Sequence, residues 1–304
     1  MFRRLLDPKN DFAFKKVFGT EKNKDILLRF LNDMLDYRNE PQITEVTLQQ
    51  TILAPEANFQ KKPIVDVLCK DAEGNEYIVE MQVNDEKDFG KRAEYYASRA
   101  FSNQLIKGGK YNQLKRVIFI AILDFKLFPD ELPYKSEHVT TARQNHKNYL
   151  TGHTYVFLEL EKFPKKKGEL SSLTTMIEKW AYFFKYAEET EFVEWEQFIA
   201  TDQILAKAYS ELDRAFWDAT EMIAYEAFHK QEMDYEAQIS AVLAKGRAEG
   251  EAKGEAKGRV EGEAEGEVRA NTQTACNLLA MGLSVQDISK ATGLSAADVE
   301  RLKK

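Results

Sequence analysis

Residues 62–84 read Lys62-Pro-Ile-Val-Asp66-Val-Leu-Cys-Lys70-Asp-Ala-Glu-Gly-Asn75-Glu-Tyr-Ile-Val-Glu80-Met-Gln82-Val-Asn84. Two apolar runs flank the polar loop from Asp71 to Asn75, whose Gly and Asn suit a hairpin. A symmetric loop sets Lys70 opposite Glu76, and the same register sets Asp66 opposite Glu80. Facing side chains share one side of a sheet, with Cβ atoms roughly 4.5–5.5 Å apart, and like charges there are destabilising. The neighbours Val65, Val67, Leu68, Val79 and Met81 are apolar, so a low local dielectric sharpens the repulsion. A divalent cation between the carboxylates would offset it, as would a shared proton. Period-two alternation places Gln82, Ile64 and Ile78 on the face of Glu80, with Val79, Met81 and Val83 opposite. Polar groups in an otherwise apolar strand need a reason. A strand edge reaching solvent, or an ion pair to a neighbouring helix, would also supply one.

Outward from the hairpin, the pattern predicts helices over 11–19, ended by Gly19, and over 22–36. Thr44 to Leu53 is rich in Val, Ile and Thr and predicts a strand. After the hairpin a helix is expected from Phe89 to Ile106, ended by Gly108-Gly109. Arg116 to Asp124 is nearly all apolar, as in a strand covered on both faces. Residues 153–161 predict one more strand. The order helix, strand, hairpin, helix, strand gives a mixed α/β sheet.

From about Leu170 strand signals stop and helical spacing takes over to about Gln238. Met176, Ile177, Trp180, Phe183 and Phe184 form one stripe, expected in a core. Gly246, Gly250, Gly254, Gly258, Gly262 and Gly266 then recur every fourth residue between charged triplets. Each glycine costs a helix roughly 1 kcal/mol against alanine, and the stripe would drift by about 40° per repeat. This stretch reads either as a self-associating helix or as a linker. Asn271 to Lys304 regain a core pattern, with capping-box spacing at Ser284/Asp287 and Ser295/Asp298. These pieces look like a helix-turn-helix, although Asp298 and Glu300 would repel phosphates.

The 304 residues carry a net charge of −7, which by itself disfavours a polyanionic partner. The distribution is uneven. Acidic residues crowd between Glu188 and Glu236. Lys91, Arg92, Arg99, Lys107, Lys110, Lys115 and Arg116 face only Glu94, and the first 24 residues are also basic. These two stretches read as phosphate contacts or as solvated helix faces. The longest apolar run, Val117 to Leu123, is too short to span a bilayer, so no membrane role is expected. With no secretory pattern and two distant cysteines, a cytoplasmic protein with free thiols is expected. The four histidines show no metal-ligand spacing.

Asp66, Glu80 and Gln82 on a hairpin, followed by a basic helix and a buried strand, resemble the PD-(D/E)XK nuclease core. Asp7-Pro8-Lys9-Asn10-Asp11-Phe12-Ala13-Phe14-Lys15-Lys16-Val17-Phe18-Gly19 is similar to the opening of the recombination-promoting nuclease, or transposase, family. Pro63 to Asp66, Glu80 to Gln82, Arg92 to Tyr96 and Gln104 to Gly108 match the same pattern. The resemblance implies a restriction-endonuclease-like mixed sheet flanked by helices over residues 1–165. A helical module (166–240), a glycine-repeat helix or linker (241–270) and a small helix-turn-helix-like end (271–304) are then expected to follow.

It also implies a magnesium-dependent DNA endonuclease, with manganese as the other candidate ion, serving recombination or transposition. Asp66 and Glu80 would hold the ion with the Met81 carbonyl, and Asp11 would be a further ligand. Gln82 would orient the attacking water. It stands where the family motif usually has lysine, and so brings no positive charge. Arg92, Tyr95 and Arg99 share a helix face and would contact DNA phosphate, while Tyr96 would pack the helix onto the sheet. The alternative is an inactive nuclease-fold protein that binds DNA or assembles as a homo-oligomer through its helical module and tail.

Overall fold

The computed structural model describes residues 4–35, 41–52, 64–85, 87–105, 109–190 and 202–303. Expected helix and strand ends at Asp36, Leu53, Lys62-Pro63 and Ile106 to Gly108 lie outside these residues. Six strands form one sheet in the order β1-β2-β3-β4-β6-β5. They are β1 (Val46–Leu48), β2 (Val67–Asp71), β3 (Glu76–Gln82), β4 (Val117–Leu123), β5 (Lys135–Val139) and β6 (His153–Glu159). β3, β4 and β6 run parallel, and the other pairings are antiparallel.

The hairpin register is the expected one: Lys70 pairs Glu76 and Val67 pairs Val79. Its turn is held by Asp71, whose carboxylate accepts the amides of Glu73 and Asn75, both at 2.9 Å. Gly74 sits at φ +89°, a left-handed conformation that glycine adopts without strain. All seven residues of β4 are buried, as its apolar run predicts. β5 was not expected. Its Lys-Ser-Glu-His-Val sequence is that of an edge strand whose outer face meets water.

Helices cover both faces. One face receives α3 (Phe89–Asn103), whose Phe89, Ala93, Ala97 and Ala100 pack on Leu68, Ile78, Phe119 and Ala121. Tyr96 packs against this core as expected. The other face receives α1 (Asp11–Phe18), α2 (Lys24–Met34), α4 (Met176–Tyr186) and α5 (Gln203–Glu211). Phe14, Phe18 and Phe30 meet Trp180, Phe183 and Phe184 there in one aromatic cluster, with ring centroids 4.9–6.4 Å apart. The helices after residue 170 therefore share the core of the N-terminal ones. The chain divides into compact units at Met1–Lys230 and Gln231–Lys304, not at residue 165. A helical stripe shows that a residue is buried, not which core receives it.

α6 (Ala219–Ala280) is continuous through the glycine repeat, and a Cβ built at any of Gly246 to Gly266 would meet nothing within 4 Å. In the second unit Ala275, Ile288 and Val299 form a small core of their own with the ends of α6, α7 (Val285–Thr292) and α8 (Ala296–Arg301). The side chains of Ser284 and Ser295 cap α7 and α8 by accepting the amides of Asp287 and Asp298. Among the described residues no helix is long and apolar enough to cross a membrane.

Candidate active site

The β2–β3 ladder stops at Val67, and Asp66 lies at a bend just before it. Asp66 and Glu80 still meet, but through side chains rather than a backbone pair. The Met81 amide donates to Asp66 Oδ2 at 2.9 Å, and the Asp66 amide donates to Glu80 Oε1 at 3.1 Å. Each carboxylate so takes up a backbone donor at the open end of the hairpin. The bend also corrects the expected face of Ile64. Alternation breaks at Asp66, so Ile64 is 57% exposed while Val65 enters the core under α3. Met81 reaches Asp66 by its backbone N–H.

Gln82 is braced at both ends of its amide. Its Nε2 donates to Glu80 Oε2 at 3.1 Å, and its Oε1 accepts from the Arg92 guanidinium. Arg92 comes from the first turn of α3 and also lies over the Phe89 ring, 4.8 Å from its centroid. Tyr95 is exposed and Arg99 half-buried on the same helix. Of that expected trio, Arg92 reaches the acidic pair through Gln82.

α1 supplies the other wall. Its N-cap Asn10 accepts the amides of Phe12 and Ala13, and Phe14, Val17 and Phe18 bury its inner face. At its end a Cβ on Gly19 would lie 2.8 Å from the Lys15 carbonyl oxygen, so only glycine fits this close turn. The helix presents Asp11 and, one turn on, Lys15. Lys15 Nζ lies 2.6 Å from Asp11 Oδ1 and 3.4 Å from Asp66 Oδ1. Lys15 was missed from sequence. Its signal was the i, i+4 spacing from Asp11, which puts both on one helix face.

Burial pushes the Asp66 carboxyl up from its ordinary 3.8 to about 6. The Met81 amide and Lys15 oppose this rise, whereas Asp11 adds to it by charge and by a side-chain hydrogen bond. Glu80 is displaced well above the ordinary range, first by burial and then by the charge of Asp66. Arg92 and Lys15 pull it back in part. Burial works against the Lys15 ammonium, but its bonds to Asp11 and Asp66 outweigh it, and its pKa is raised.

Two buried, mutually repelling carboxylates form a hard-oxygen donor pair that suits a divalent cation. Among the described residues no three His, Cys, Asp or Glu side chains are grouped to hold a metal. A cavity of about 360 Å³ lined by Ile43, Asp71, Tyr77, Arg116 and Thr154 includes neither acid.

No curated protein and no solved structure matches the chain. The family model of the PD-(D/E)XK nuclease family transposases matches residues 8–242, which takes in the hairpin, α1, α3 and the aromatic helices after residue 170. With Asp66 and Glu80 joined at the hairpin's open end, and a match over most of its length, the chain belongs to the PD-(D/E)XK nuclease transposase family.

Proposed function

We propose that this protein is a magnesium-dependent DNA endonuclease of the cytoplasm, active in recombination or transposition. The observation that carries the reading is the reciprocal hold of Asp66 and Glu80 at the end of the hairpin. These two carboxylates, with the Met81 carbonyl, would hold the ion, and Asp11 would join only by a movement of its side chain. Bound there, magnesium or manganese would polarise a phosphodiester and lower the pKa of a coordinated water.

The chain's own groups would set the geometry. The amides of Asp66 and Met81 fix the two carboxylates. Gln82 orients Glu80 through its Nε2 and is itself oriented by Arg92. Each end of the Gln82 amide keeps one further hydrogen-bonding position, and either could align a water. In the reaction the water oxygen bonds to phosphorus and the bond from phosphorus to one sugar oxygen breaks. The water's proton leaves to solvent, and the departing oxygen takes one from solvent. Tyr95 and Arg99 would contact backbone phosphate beside the cut. The open glycine face of α6 favours a second role in self-association, with a partner helix approaching the bare backbone.

The test is nicking of supercoiled plasmid with magnesium, beside Asp66→Ala and Glu80→Ala. Both variants should lose activity. Equal nicking by all three proteins removes the enzyme reading.

A further inference from the structure

Gln82 leaves the strand without the positive charge that the family motif usually places there. The structure brings a cation to the same acids from a different element. Lys15 projects from α1, and its Nζ lies 3.4 Å from Asp66 Oδ1 and 2.6 Å from Asp11 Oδ1. Its side chain is 38% exposed, so the ammonium borders the acidic pair without being sealed from a substrate.

The helix that carries Lys15 is firmly held. Phe14, Val17 and Phe18 are fully buried, Gly19 closes its end, and the adjacent Lys16 pairs with Glu221 across the unit. Arg92 is less suited to the role, because its guanidinium braces Gln82 and lies over Phe89.

We propose that Lys15 is the catalytic cation of this site: its ammonium contacts the scissile phosphate and neutralises charge that builds on the non-bridging oxygens. This rests on the nuclease reading above. When the water oxygen bonds to phosphorus, negative charge gathers on those oxygens, and a fixed cation there acts where charge develops. The charge disperses as the bond to the sugar oxygen breaks. Lys15 keeps its proton throughout, while the water's proton leaves to solvent and the departing oxygen is protonated from it. In the free protein Asp11 and Asp66 hold the ammonium ready. Asp11 thus acts as a positioning residue for Lys15.

The experiment compares wild type, Lys15→Met, Lys15→Arg and Asp66→Ala in two assays: magnesium-dependent plasmid nicking and calorimetric titration with manganese alone. Lys15→Met should nick about 100-fold more slowly, the scale of losing one transition-state charge partner, and Lys15→Arg should stay within about tenfold of wild type. Manganese should bind Lys15→Met at least as tightly as wild type, because a cation beside the acids is gone, and should fail to bind Asp66→Ala. Wild-type nicking by Lys15→Met overturns the proposal. So does a fall in manganese affinity that parallels the fall in rate, which would make Lys15 only a structural support of the pair. Loss at Asp66→Ala without loss at Lys15→Met defeats this proposal alone, whereas equal nicking by wild type and Asp66→Ala removes the nuclease reading and this proposal with it. If Lys15→Met does not fold, Lys15→Arg decides, since a rate more than about 100-fold down in a folded protein overturns the role of the charge.

Discussion

Replacing Asp66 by asparagine should stabilise the protein at pH 8 when metal is removed by a chelator. The carboxyl is raised from 3.8 to about 6, so the native state holds its proton more tightly than the unfolded chain does. Stability from that proton is fully present below pH 3.8 and is lost as pH rises through about 6. At pH 8 the charged group costs about 3 kcal/mol by this linkage. Asparagine keeps an acceptor for the Met81 amide, and the attraction of Lys15 for the charged form is already contained in that shift. The gain is about 3 kcal/mol, or roughly 6–12 °C in melting temperature for a domain of this size. At pH 5 the gain should shrink to about half. Urea denaturation followed by circular dichroism at the two pH values measures it. Magnesium should reverse the order, because wild type gains about 4.1 kcal/mol at about one thousand times its Kd while the variant gains nothing. A variant less stable than wild type at pH 8 in chelator, or an advantage that does not change with pH, would refute the picture of a strained acidic pair.

Three further outcomes are expected. Arg99→Ala should lower the steepness of log K against log salt for duplex binding by about 1, and an unchanged slope would remove α3 from the DNA contact. Phe18→Ala, at the centre of the aromatic cluster, should cost about 3–5 kcal/mol in denaturant titrations; a loss under 1 kcal/mol would mean that the helices after residue 170 are not part of the same core. Ending the chain after Ala244 should reduce the particle mass in light scattering while plasmid nicking persists, and an equal number of copies in the particle would exclude the glycine helix as the contact.

Much of the fold was legible because local chemistry and pattern agreed. Asp71, Gly74 and Asn75 specify a tight turn, and the turn fixes the register that carries Asp66 to Glu80. The unbroken apolar run of β4 needs two covered faces and receives them. β5 was invisible because a polar edge strand has no pattern to distinguish it from a loop. The face of Ile64 was misread because alternation applies only while the ladder continues, and it ends at Val67. The boundary at residue 165 followed a change in texture from strands to helices. The structure pools both textures in one core, through contacts between Phe18 and Trp180 that no local pattern reports.

The site was legible in its acids and less so in its cations. Asp66, Glu80 and Gln82 stand on one hairpin, where spacing alone relates them. Lys15 and Arg92 arrive from separate helices, and only tertiary packing brings them there. The same packing revised the part given to Gln82: its amide is occupied by Glu80 and Arg92, so it braces the acid as well as offering a place for water.

The N-terminal segment is tied to residues far down the chain. Leu6 donates to the Leu212 carbonyl, Arg214 to that of Arg4, and Asp7 to the Tyr225 hydroxyl. A ribosome can therefore finish the hairpin long before it delivers the groups that lock α1 in place. A nascent chain that has emerged only as far as α4 has its acids but lacks the clasp on Asp11 and Lys15. On the proposed nuclease reading, prematurely terminated products should be inert toward the genome of the cell that makes them, with full cutting power arising only after the last of these fastenings has been synthesised.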